Sequence, residues 1–142
     1  MIEEFHRILK SGCRVERLQF ETAERLKPAI GILQILAWRI LYLTKYARSN
    51  PHSPASEVSS ELEQVVLEDW MRANRSKRYE AITVEDFVRG VAVLGGFANR
   101  KSDGFPGPKT IWQGLRRLVD LVAGYRLALQ RAGYNLAPRT ER

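Results

Sequence analysis

Residues 108–132 read PKTIWQGLRRLVDLVAGYRLALQRA, and in them Ile111, Leu115, Leu118, Val122, Tyr125, Leu129 and Ala132 recur at alternating spacings of four and three. That spacing puts these side chains on one face of a helix and sustains a heptad seam. Pro108 suits a first helical turn, where its missing N–H is not needed. Beside the seam runs a strip of mostly small residues, Gly114, Leu121, Gly124 and Ala128, along which a second helix can come close. The rest of the chain repeats the helical period and offers no strand alternation of useful length or internal repeat, so the fold class is all-α.

Working towards the N-terminus, Thr83 reads as the N-cap of a helix over 84–94, and Gly95-Gly96 as its stop. A further helix is expected over 60–72, with Leu62, Val65, Val66 and Trp70 on its buried side. Residues 74–79, holding Arg75, Lys77 and Arg78, read as an exposed basic turn, and the Pro- and Ser-rich residues 49–56 as a linker. From Ile30 to Leu43 apolar residues occupy nearly every side, the pattern of a central helix, with Arg39 either snorkelling or paired. Pro28 then either kinks that segment or starts it. The first helix, residues 2–10, turns Ile2, Phe5 and Leu9 to one side and Glu3, Arg7 and Lys10 to another, with a break at Ser11-Gly12-Cys13. The expected architecture is a bundle of about five helices.

Of the 142 residues, 44% are hydrophobic and 27% charged, which suits a soluble globular domain and excludes a disordered chain. The stretch Ala29 to Leu43 contains Gln34 and Arg39 and is shorter than a membrane crossing needs, so no span or secretory leader is expected and a cytoplasmic location is. The lone Cys13 excludes a disulfide framework. Net charge is +7, and residues 51–71 hold five acids and no Lys or Arg, so the remainder carries 23 basic against 11 acidic residues. That imbalance favours a polyanionic partner, DNA above all.

Residues 104–110 lack the spacing of a phosphate-binding loop, and two prolines remove donors such a loop requires. His6, His52 and Cys13 have neither metal-ligand spacing nor a nucleophile's partners. Arg100-Lys101, like the basic residues of 75–78, reads as a solvated turn, with contact to DNA phosphate as the alternative in so basic a chain.

Glu3 and Lys10, within Ile2-Glu3-Glu4-Phe5-His6, stand at the Glu-x6-Lys spacing of the last catalytic motif of the DDE transposases of the transposon-five type, which are bacterial insertion-sequence enzymes. Leu94-Gly95-Gly96-Phe97, then residues 100–104 and Lys109-Thr110-Ile111-Trp112-Gln113-Gly114-Leu115, resemble that family's C-terminal region in the same order. The resemblance covers residues 1–48 and 83–129. It implies that residues 1–20 are a remnant of a retroviral-integrase-like catalytic core, and 21–142 a helical dimerisation and synapsis domain. By resemblance Glu3 is the third catalytic carboxylate and the only metal ligand present, while Arg7 and Lys10, with Arg14 and Arg17 extending the surface, contact the DNA backbone. The intact family enzyme uses two Mg2+ or Mn2+ ions held by three carboxylates. Here the two Asp are absent and the Tyr and Arg of the motif would precede Met1, so a truncated chain, inactive alone and without cofactor, is expected.

The expected function is that of a C-terminal transposase fragment that contacts transposon-end DNA and dimerises through Leu118, Leu121, Val122, Gly124, Tyr125, Ala128 and Leu129. One alternative is a non-catalytic DNA-binding regulator that inhibits an intact transposase by forming mixed dimers. Another is a generic helical interaction module whose basicity is incidental.

Overall fold

The computed structural model describes residues 1–13, 22–74 and 79–133. Helix α1 (Ile2–Arg7) runs into a π-helical turn (Ile8–Gly12), and α2 (Ala23–Ser49), a 3-10 turn (Ala55–Glu57), α3 (Glu61–Asn74), α4 (Val84–Leu94) and α5 (Pro108–Arg131) follow. Among the described residues extended pairing is confined to an isolated antiparallel bridge between Pro54 and Thr83. The described residues form an all-α fold with five α-helices.

The centre of the bundle is α4, not the expected segment 30–43. Val84, Phe87, Val88, Gly90, Val91, Ala92, Val93 and Leu94 are all buried, so neighbours cover α4 on nearly every side. A helix so enclosed must satisfy its free terminal amides within the protein. Val84 donates to the Ser53 carbonyl at 2.8 Å and Glu85 to Pro51 at 3.1 Å, while Phe87 donates to the Thr83 carbonyl at 2.9 Å. The Asp86 amide donates to Thr83 Oγ1 at 3.1 Å, and the Thr83 amide donates to Asp86 Oδ2 at 3.1 Å, which closes a capping box. Residues 49–56 are therefore a clamp that caps α4, a correction to the linker reading. Their backbone carbonyls do this work, and side-chain composition does not reveal it.

At its other end α4 closes in a Schellman motif. Gly96, at φ +98°, lies in the left-handed region. Its amide donates to Val93 and that of Phe97 to Ala92, both at 2.9 Å. Phe97 then lies half-buried against the core. Gly95 serves a different purpose, since a Cβ there would stand 1.9 Å from the Thr110 carbonyl oxygen of α5. Reciprocally, a Cβ on Gly114 would stand 1.8 Å from the Val91 carbonyl oxygen. The two helices thus cross backbone to backbone, and Arg117 crosses with them to donate to the Leu94 carbonyl at 2.6 Å.

Helix α2 is divided in burial although continuous in conformation. It passes through Pro28 in its second turn, forgoing the bond that residue would donate. Ala37, Ile40, Leu41, Leu43, Thr44 and Ala47 are buried, whereas nothing from Ala23 to Leu36 is. By length and composition α2 passes the test for a membrane crossing, with 22% of its most apolar window buried. Ion pairs tie its middle to the other helices instead: Arg39 to Glu63 of α3 at 2.8 Å and Lys45 to Glu4 of α1 at 2.9 Å.

Helix α3 starts with a second capping box. The Ser60 amide donates to Glu63 Oε2 at 2.9 Å and the Glu63 amide to Ser60 Oγ at 3.3 Å. It buries Val66, Leu67 and Met71, with Leu62 and Trp70 half-buried, while Val65 of the expected face is 37% exposed. Burial alone would raise the Glu63 carboxyl, but the Ser60 amide and the Arg39 guanidinium together hold it below its ordinary value. Tyr79 rests its ring in the space left by Gly90 and donates from its hydroxyl to the Asp86 carbonyl at 2.6 Å. Burial, with Asp86 and Glu68 nearby, pushes that hydroxyl far above the usual phenol range, so it stays a donor.

Two outcomes follow for stability. Gly114→Ala should cost about 1–3 kcal/mol in urea unfolding, because the added carbon meets α5's neighbour backbone. Gly31→Ala, in open space on α2, should be neutral or stabilise by up to about 1 kcal/mol. For Glu63 the folded pKa is depressed, so its contribution is complete above the unfolded value and is lost as pH falls through the folded one. Urea unfolding of wild type and Glu63→Gln should therefore differ most near neutrality and converge in acid.

Candidate functional site

Two surfaces carry the residues singled out by sequence. On α1, Glu3, Arg7 and Lys10 are all exposed, as the helical spacing requires. The opposite side of this helix holds it to the bundle: Phe5 meets Trp38 edge to face at 6.4 Å, and Ile8 and Cys13 are buried in the common core. Ile2, expected on that inner side, is instead 73% exposed, because the helix is anchored from Phe5 onward. Burial raises the Cys13 thiol to about 11, which leaves it protonated and unreactive at neutral pH. Arg14, Arg17 and residues 75–78 lie outside the described residues.

A divalent metal requires several converging oxygen or nitrogen ligands. Glu3 is exposed, its neighbour Glu4 is engaged by Lys45, and the described residues contain no group of three or more His, Cys, Asp or Glu that could hold an ion. The described residues therefore do not fit a pair of divalent ions.

The second surface is α5, and the structure divides it. Ile111, Gly114, Leu115, Leu118 and Val122 are buried against the chain's own helices. Leu118 and Val122 therefore serve the internal core, and Gly114 is occupied by α4. From Ala123 to Arg131 no residue is buried. At 1.5 Å per residue this is roughly 13 Å of helix at the margin of the core, to which Tyr125 alone among its residues adds a half-buried ring. Tyr125 and Leu129 of the seam and Leu121 of the strip beside it are half-exposed, and Gly124 and Ala128 of that strip lie open, with nothing within 4 Å of a Cβ on Gly124. Val119 and Leu127, which the heptad reading left out, are 55% and 67% exposed.

A further apolar surface escaped the sequence reading. Ile32, Ile35, Trp38 and Tyr42 of α2 are exposed, and the last three, with Met1 and Ile2, line two shallow grooves of about 560 and 390 Å³. The uniform apolarity of this stretch had suggested burial, since composition cannot say which half of a long helix the bundle covers. Tyr42 stacks on Tyr46 at 5.3 Å, and Tyr46 in turn donates to Glu57.

In a comparison with known protein families, residues 35–134 match the family described as the transposase Tn5 dimerisation domain. The matched span opens inside α2 and contains α3, α4 and α5 whole.

Proposed function

The chain belongs to the Tn5 transposase dimerisation-domain family, and on that premise we propose that it acts in bacterial cut-and-paste DNA transposition by pairing two copies through the outer half of α5. The observation that carries this reading is the helix from Ala123 to Arg131, where no residue is fully buried, Tyr125 packs only in part against the chain's own core, and Gly124, Leu127 and Ala128 are exposed. A short helical extension gains little stability from its own hydrogen bonds and is normally held by packing on an apolar face. A second copy supplies that packing. Gly124 and Ala128 admit a close partner helix, and Leu121, Tyr125 and Leu129 offer apolar area to it. Leu118 and Val122 would support the interface from beneath and take no part in contact.

The exposed row Glu3, Arg7 and Lys10 is the end of a transposase core in this reading. Arg7 and Lys10 would contact the phosphate backbone of DNA, with Arg14 and Arg17 extending that surface. Such contacts give affinity without base recognition and place the chain's work in the cytoplasm. Alone, Glu3 cannot hold the ion pair that DNA cutting by this family uses. A copy that pairs without completing a metal site would lower the activity of an intact relative by forming mixed dimers.

Two measurements test the reading. Gly124→Glu and Ala128→Glu, compared with wild type by sedimentation and circular dichroism, should keep full helicity and shift dimer to monomer; a monomeric wild type at high concentration contradicts the assignment. Purified chain incubated with transposon-end duplex and Mg2+ or Mn2+ should leave the DNA uncut. Nicking abolished by Glu3→Ala would contradict that expectation.

A further inference from the structure

The two ends of α5 differ in chemistry. At the N-terminal end, Lys109, Trp112 and Arg116 recur at spacings of three and four and share one side of the helix. Lys109 and Arg116 are exposed, and the Arg116 guanidinium lies over the Trp112 ring at 5.8 Å. Arg48, at the end of α2, lies over Phe105 at 5.0 Å, just before α5 begins. Two of the three cations are thus held on aromatic rings, which costs a flexible side chain less freedom on binding than a solvated one loses. Among the described residues none of the three has a carboxylate within ion-pair distance.

The surroundings strengthen the same sign. The first turn of α5 has no acidic residue, and Gly107 gives it no side-chain cap, so the positive end of the helix dipole is uncompensated there. Asp120, one turn beyond Arg116, ends the row. Lys109 and Arg116 are about 10 Å apart along the axis, roughly the rise of three nucleotides on one DNA strand.

We propose that Arg48, Lys109 and Arg116, set on Phe105 and Trp112, form a second docking face for the phosphodiester backbone of duplex DNA. Through Arg48, which like Arg7 acts on the Glu4 carboxylate, it adjoins the α1 row, and it carries no base-reading group. The proposal takes from the reading above only the class of partner, because dimerisation is measured independently of it.

The test compares the full chain with Arg48→Ala/Lys109→Ala/Arg116→Ala and with a control of equal charge change, Arg25→Ala/Lys27→Ala/Lys101→Ala, all exposed positions. Binding to a blunt duplex oligonucleotide is followed by fluorescence anisotropy across a salt series. The first triple should make the slope of log K against log salt shallower by about 2–3, the value for three lost phosphate contacts; the control should change it little. Sedimentation of the same samples should show an unchanged dimer, so a monomeric wild type would strike the dimer reading and leave this one standing. Equal losses in both triples, an unaffected slope in the first, or no binding by wild type would overturn the proposal. So would loss of binding to anionic phospholipid vesicles with DNA binding intact, which would identify the face as membrane-seeking.

Discussion

The contact on which the rest depends is the crossing of α4 and α5 at Gly95 and Gly114, where a single carbon on either residue would stand less than 2 Å from the opposing carbonyl oxygen. Because two backbones meet there, neither side-chain repacking nor a rotamer change can substitute for the glycines. The crossing fixes α5 against the most enclosed helix of the bundle. It also sets where α5 leaves the core, so beyond Val122 no residue is fully buried and the apolar side chains are half-buried at most. The motif Leu94-Gly95-Gly96-Phe97 is thereby accounted for residue by residue: close approach at Gly95, left-handed backbone at Gly96 and a half-buried ring at Phe97.

Around that crossing the charged residues divide their work. Glu63 is drawn into structure by a helix cap and by Arg39, and Glu4 by Lys45, so both acids fasten helices to one another. Exposed cations instead stand at α1 and at the start of α5. Each of these acids is neutralised by the cation that holds it, so the excess of basic over acidic residues is carried by the remaining cations.

Local chemistry was the legible part of the sequence. Thr83 as a cap, Gly95-Gly96 as a stop and the length of α5 each follow from a residue's own backbone preference, and each stands in the structure at the expected place. Coverage was not legible. A heptad pattern reports which face is apolar and not what lies on it, so the same seam serves the chain's core up to Val122 and remains open from Tyr125 onward. The apolar run from Ile30 to Leu43 was read as a centre for the same reason, yet none of it before Ala37 is buried, and the shorter α4 took that position. Residues 49–56 escaped notice because Pro51 and Ser53 act through carbonyl oxygens, which every residue has. The α1 row was legible through its spacing, yet its meaning came only from resemblance.

The central claim is that α5 is core in its first half and interface in its second. Amide hydrogen exchange of the wild-type chain, recorded at concentrations well below and well above dimer formation, tests it most directly. The account predicts equal protection at both concentrations for residues 111–118 and marked slowing at high concentration for residues 121–131. Concentration-dependent protection that instead falls on residues 29–42 of α2, with residues 121–131 unchanged, would contradict it.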